Sequence, residues 1–247
     1  MIWLAFDTAT DRASVALGTS AADALEETLT GARRHASALL PLVDRLLARA
    51  GIALDQVGGV LLSDGPGSFT GLRVGATVAK ALARARGLEV RIAPSLMVRA
   101  APHAREGEAT LAVADALRGE LYAAAYRFGA DTVEVMLAPS VWQPERLIAE
   151  TLRPDRIVGD APAEALARLA AWAGAEVVSG AEGLPCAAWL LDLLQRAGAT
   201  RRISHLDLWE PEYGRPAEAQ ARWERAHGRP LPDSAGRPGG CPGAGGD

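Results

Sequence analysis

Aromatic side chains are scarce in this sequence, 5% of residues against 49% hydrophobic residues overall. A core made mainly of Ala, Leu, Val and Gly gains its burial from close approach of helices to sheets rather than from a few large rings. Cysteine is rarer still: Cys186 and Cys241 stand at no metal or redox spacing, which excludes a disulfide framework and points to a reducing compartment. Histidine is limited to His35, His103, His205 and His227, with no two of them three to five residues apart. A helical metal site needs two ligands on one face, so no metal ligand is expected. No apolar run is long and continuous enough to span a bilayer. The opening Ile2 to Phe6 run meets Asp7 too soon for the apolar region of a leader, so a cytoplasmic location without membrane contact is expected. Positive charge is not in excess either, the formal net charge being −4 and the pI about 5.7. Phosphate neutralisation supplies most of the affinity of autonomous nucleic-acid binders, so this balance argues against RNA being gripped by the chain alone.

The 247 residues that are present suffice for one large domain or two small ones. Ile2 to Phe6, Ala13 to Leu17 and Ala24 to Leu29 read as strands joined by short polar turns, an antiparallel start to a sheet. His35 to Ala50 reads as a helix, with Leu39, Leu42, Val43, Leu46, Leu47 and Ala50 recurring at three- and four-residue steps before Gly51. Pro41 either kinks its first turn or sets its true start near Leu40. A strand at Gly59 to Asp64 leads through a glycine-rich loop into a helix over Phe69 to Arg86, which is apolar on more than one face. A strand at Glu89 to Ala93 and a short helix from Ser95 close this half, and Pro102 to Glu108 reads as a linker.

The second half opens with strands near Thr110 to Asp115, Glu120 to Phe128 and Val133 to Leu137. Leu117-Arg118-Gly119-Glu120 is the hairpin turn between the first two, with Gly119 taking a positive φ. Helices near Glu145 to Thr151, Ala163 to Ala173 and Cys186 to Ala197 then alternate with strands at Arg156 to Gly159 and Glu176 to Ser179. That alternation predicts an α/β fold with mixed sheets flanked by helices. Gly and Pro dominate the last residues, and 227–247 is expected to be a disordered tail.

Three segments could carry chemistry. In Gly65-Pro66-Gly67-Ser68-Phe69-Thr70-Gly71, glycines and a helix N-terminus suit a phosphate, and equally suit a tight strand-to-helix connection capped by Ser68. The loop fits neither the dinucleotide fingerprint, nor a P-loop, nor a nucleophile elbow. Asp7-Thr8-Ala9-Thr10 either faces the phosphates and metal of a nucleotide or closes a hairpin as an Asx or Ser/Thr turn, and the turn is the plainer reading. Asp115, Arg118 and Glu120 form either an acid/base cluster or a solvated hairpin, and the hairpin is favoured.

Asp7-Thr8-Ala9-Thr10, Arg34-His35 with Leu40-Pro41, the run Gly65 to Gly75, Pro94-Ser95-Leu96-Met97 and Asp115 to Tyr122 occur in the order and spacing of one family. They resemble TsaB, the dimerisation subunit for threonylcarbamoylation of tRNA adenosine, over roughly residues 1–128. Asp115-Ala116-Leu117 departs from its usual Asp-Ala-Arg, and Tyr213-Gly214-Arg215 from its late Tyr-Leu-Arg. The resemblance implies two actin-like ATPase-superfamily halves, a fold also called glycoprotease-like. The first half is 1–103, completed by a returning segment at 183–226, and the second is 104–182.

The resemblance also implies a non-catalytic role: pairing with and activating the catalytic paralogue TsaD, with TsaE as an ATPase and tRNA reached through the complex. A homodimer through the same helices is a further alternative for the chain alone. No cofactor is required by the chain, and ATP or ADP belongs at the complex interface. Pairing falls to Leu39, Leu42, Val43 and Leu46 of the first long helix and Phe69, Leu72, Arg73, Ala76, Val78 and Lys80 of the second. Asp7, Thr8, Thr10, Gly65, Gly67 and Ser68 are the candidates for a nucleotide-phosphate loop. The competing reading is an actin-like sugar or carboxylate kinase using Mg-ATP.

Overall fold

The computed structural model describes residues 1–31, 35–150 and 153–214. Met1–Gly214 forms one compact unit; residues 215–247, which include the expected tail at 227–247, lie outside the described residues.

The first sheet begins as an antiparallel meander, β1 (Ile2–Asp7), β2 (Arg12–Gly18) and β3 (Leu25–Thr30). After helix α1 (His35–Ala50), β4 (Val57–Ser63) enters parallel to β1; after helix α2 (Phe69–Arg86), β5 (Glu89–Ala93) enters parallel to β4. Right-handed crossovers of this kind place α1 and α2 on one face of the sheet. The chain leaves through the short helix α3 (Ser95–Ala100) and builds a second sheet from β6 (Ala109–Asp115), β7 (Leu121–Phe128) and β8 (Val133–Trp142). Helix α4 (Pro144–Glu150), β9 (Arg156–Gly159), α5 (Ala163–Ala173) and β10 (Glu176–Val178) complete that sheet, in the order β10-β9-β6-β7-β8. The chain then returns. Helix α6 (Ala188–Leu194) packs on β1, β2 and β4, and β11 (Arg201–Arg202) adds to β5, giving the first sheet the order β11-β5-β4-β1-β2-β3. Two mixed sheets flanked by helices are thus present, as the alternation predicts. Among the described residues no helix is long and apolar enough to cross a membrane.

Side-chain alternation along the strands sorts the core into layers. Leu4, Phe6, Val15, Val60 and Leu62 face α1 and α2, while Trp3, Ala5, Ala16 and Leu61 face α3 and α6. Ala112, Ala124, Tyr126 and Phe128 of the second sheet meet the same two short helices from the other side. Leu111, Val113, Leu121, Ala123 and Ile157 point the opposite way, toward Leu147 of α4 and Leu166 and Leu169 of α5.

Three elements differ from the sequence reading. Helix α1 runs from His35 straight through Pro41, which is exposed, because Leu39, Leu42 and Val43 are all buried beside it. Each such burial contributes about 1.5–3 kcal/mol, together more than the ~3 kcal/mol that an interior proline costs. Strand β8 continues past Leu137 to Trp142, although Pro139 lies in it. It is an edge strand with a register irregularity opposite Ala123 to Ala125, where the missing amide costs no ladder bond. Strand β11 is only Arg201–Arg202, too short to leave a periodic signal.

Leu46→Ala removes a fully buried side chain and is expected to cost about 2–5 kcal/mol. Leu40→Ala, at a position 49% exposed, is expected to change stability by less than about 0.5 kcal/mol. Urea denaturation of both variants checks the contrast.

Candidate functional site

The glycine loop begins where β4 ends. Asp64 to Ser68 carries the chain into α2, with a cis peptide between Gly65 and Pro66. The Ser68 hydroxyl caps the helix, accepting a hydrogen bond from the Gly71 amide at 3.2 Å. The Ser68 amide donates to the Ala9 carbonyl at 2.7 Å. A Cβ on Gly67 would strike Ala9, and one on Gly71 would strike the Thr8 carbonyl. On Gly75, one turn along the same helix face, it would stand 2.5 Å from the Thr8 hydroxyl oxygen. The glycines of α2 therefore let its first turns lie directly against the β1–β2 turn. From above, the Glu212 carbonyl lies over Gly65, and the Glu212 amide donates to the Asp64 carbonyl at 2.7 Å.

The candidate phosphate ligands converge here, and they are covered. Asp7 and Thr8 are buried, Thr10 is half-buried, and the Thr10 hydroxyl exchanges hydrogen bonds with the Arg12 backbone. The Asp7 carboxylate accepts from the Ala9 amide at 3.2 Å, an Asx turn. Burial raises the Asp7 pKa, offset in part by the Ser63 hydroxyl, the Ala9 amide and the Arg99 and Arg12 guanidinium groups. Asp64 is pushed up to about 7 by burial and by Glu212, with Arg201 at 3.7 Å pulling the other way. A phosphate needs open amides and positive charge. Here the Ser68 and Gly71 amides are spent internally and the nearest side chains include two carboxyls, so the loop does not fit a nucleotide phosphate. Among the described residues, no three His, Cys, Asp or Glu side chains are grouped closely enough to hold a metal ion.

The hairpin at Asp115 to Glu120 forms as expected, closed by the Glu120 amide on the Leu117 carbonyl at 3.1 Å. Its backbone differs from expectation. Leu117 (φ 63°) and Arg118 (φ 58°) share the left-handed region with Gly119 (φ 78°). The Asp115 carboxylate holds the Leu117 amide at 2.7 Å, and Glu120 accepts from Gln143 at 3.1 Å.

The residues expected to meet a partner divide into two sets. Leu39, Leu42, Val43, Leu46 and Ala76 are buried in the core between the helices and the first sheet, and Leu72 is buried beside Gly65 of the loop. Periodicity shows that a helix has an apolar face but not which neighbour covers it, so the sequence could not separate these from outward positions. Phe69, Arg73 and Val78 lie on the other side of α2. With Ala36, Thr70, Val74 and Thr77 they line an open groove of about 400 Å³ between α2 and the start of α1. Arg73 is exposed, its guanidinium 5.4 Å from the Phe69 ring centroid.

Phe69, at one end of the groove, is met by part of the returning segment expected at 183–226, whose contacts with α2 the sequence did not mark. After β11 the chain crosses α2 as a strap. The Ile203 amide donates to Val90 at 2.9 Å, and Arg84 pairs with Asp207. The Lys80 ammonium donates to the Trp209 carbonyl, pairs with Glu210 at 3.3 Å and lies 5.4 Å from the Trp209 ring. Tyr213 stacks on Phe69 with centroids 4.4 Å apart. Lys80 is therefore committed within the chain. Trp209 and Tyr213, large rings in an aromatic-poor chain, were the available signal.

Residues 29–174 match the family model described as TsaD, tRNA N6-adenosine threonylcarbamoyltransferase. The tRNA threonylcarbamoyladenosine biosynthesis protein TsaB of Haemophilus influenzae is 38% identical over 121 residues, covering 48% of this chain and 51% of that protein. Its namesake in Escherichia coli is 34% identical over 146 residues, covering 56% and 63%. The matched stretch thus spans between about half and under two thirds of these curated relatives. Among solved structures, YeaZ from Pseudomonas aeruginosa superposes with a TM-score of 0.65 at 31% identity, covering 78% of this chain and 90% of that one.

Gly71→Ala forces a methyl into the Thr8 carbonyl and is expected to cost about 1–3 kcal/mol, read as a lower denaturant midpoint. The folded-state pKa of Asp64 lies above its ordinary 3.8, so its bound proton stabilises the fold fully below about pH 4, an effect lost as pH rises through about 7. Asp64→Asn cannot lose that proton. The stability of the wild type relative to this variant is expected to fall between pH 4 and pH 8, measured by denaturation at a series of pH values.

Proposed function

Because the chain belongs to the TsaB (YeaZ) family, on the domain that the TsaD model describes, we propose that it is a non-catalytic subunit in tRNA threonylcarbamoyladenosine synthesis, pairing with the catalytic paralogue TsaD. The observation that carries this reading is the open groove on α2. Phe69, Val74 and Val78 give it an apolar floor, and Arg73 a positively charged rim. An apolar centre with a polar rim is the anatomy of a protein–protein contact. A helix of the partner, laid against α2 and the start of α1, would cover it.

Several features support a partner over an enzyme. Asp7 is cut off from water and its carboxylate already accepts the Ala9 amide in an Asx turn, so it presents no open face to a nucleotide. The glycine loop is sealed by Thr8, Ala9 and Glu212, so the kinase alternative has no open phosphate site there. An adenine nucleotide acting in the complex is assigned to the junction with the partner, where TsaE would join, and tRNA is reached through the assembly. The interface proposed here keeps Phe69, Arg73 and Val78 of the expected residues and adds Val74 and Thr77. Leu39, Leu42, Val43, Leu46, Leu72 and Ala76 support the surface from within.

Threonylcarbamoyl transfer to tRNA by the cognate TsaC, TsaD and TsaE is expected only when this chain is added. Equal activity without it sinks the proposal. Val78→Asp is expected to leave circular dichroism unchanged and abolish stimulation, whereas Leu72→Asp, at a buried position, is expected to unfold the chain.

A further inference from the structure

The turn between β6 and β7 holds two bulky residues in a backbone region that suits glycine. Leu117 and Arg118 have φ of 63° and 58°, and each costs of order 1 kcal/mol relative to a residue at ease there. The hydrogen bonds that hold the turn, from the Leu117 amide to the Asp115 carboxylate and from the Glu120 amide to the Leu117 carbonyl, use only the backbone of Leu117 and make no use of the Leu117 and Arg118 side chains. Leu117 is 67% exposed, and Arg118 is exposed too. Asn-Gly suits a turn of this kind better than Arg118-Gly119 does. Side chains kept at a conformational cost and pointed at water contribute little inside the molecule.

The position of the turn indicates what they meet. Tyr122, at the root of the hairpin, donates its hydroxyl to the Tyr213 carbonyl at 3.4 Å. Gly214 packs on the Tyr122 ring and on Pro66, and Tyr213 stacks on Phe69 at the mouth of the groove. A continuous surface therefore runs from the groove over the end of the strap to the hairpin. The tip stands about three residues beyond Tyr122, roughly 10 Å at strand spacing. Both ends of this surface pair an apolar side chain with a cation: Val78 and Arg73 in the groove, Leu117 and Arg118 at the tip.

We propose that the β6–β7 turn is a second contact point for the protein that docks in the groove, with Leu117 entering an apolar depression and Arg118 meeting a carboxylate of that partner. This rests on the groove being the docking site. The partner then touches both sheets at once, through α2 on the first and the turn on the second. Its contacting face is apolar with acidic residues at two separated places.

The test is calorimetric binding of the cognate TsaD to the full-length chain and to two variants. Leu117→Asn with Arg118→Asn keeps residues that tolerate the left-handed region while removing the apolar and charged groups. The expected result is a thermal midpoint equal to or above wild type, with binding at least tenfold weaker. Binding within twofold of wild type overturns the proposal. So does a lowered midpoint, which would mean that these side chains serve the fold. Val78→Asp reports on the groove separately. If Val78→Asp binds normally and the turn variant does not, the turn contact stands and the groove reading falls. If Val78→Asp alone abolishes binding, the groove stands and the turn contact is lost.

Discussion

The arrangement of the first sheet and its helices depends on a contact between backbones. Gly67 and Gly71 bring the start of α2 against the backbone of Thr8 and Ala9, and Gly75 leaves room for the Thr8 side chain. The Ser68 amide closes the contact on the Ala9 carbonyl. A methyl at any of the three would push the helix away from the β1–β2 turn, and tightly packed interiors accommodate such shifts poorly. The angle of α2 sets which residues face the sheet and which line the groove. Glycine placement thus determines the shape of the groove, although the glycines themselves lie beneath it.

The same contact accounts for a loop that looks like an anion site and lacks its chemistry. A strand, a glycine-rich turn and a helix N-terminus are all present, but the amides and the space are taken up by the chain itself. Carboxyl groups at Asp7 and Asp64 occupy the surroundings where a phosphate would need positive charge. Sequence spacing reports that a backbone can come close to something. Whether that is a ligand or another part of the chain is decided by tertiary structure.

Much of the architecture was legible residue by residue. The bounds of α2, β5, β9 and α5 follow from periodicity and from Gly87 and Gly174 at helix ends, both in the left-handed conformation that ends a helix. The pairing residues were legible only as a set. Leu72 and Val78 look alike as apolar positions on one helix, yet one is buried beside Gly65 and the other is half-buried at the edge of the groove. A returning segment was expected, but its hold on α2 was not, because that hold comes from Lys80, Arg84 and the two rings across more than a hundred residues of sequence, with no local pattern to mark it. The left-handed backbone at Leu117 and Arg118 runs against intrinsic preference, which is why Gly119 alone was expected there.

Pro139 in β8 bears on how this chain avoids unwanted company. An edge strand of ten residues would normally offer a rim of free amides and carbonyls on which another chain could continue the sheet. The proline removes one donor, and the irregular register beside it bends the rim, so a second strand cannot run along it in step. Growth of the second sheet beyond β8 is thereby discouraged, so that at this edge an incoming chain meets a bent rim short of a donor instead of a ready template.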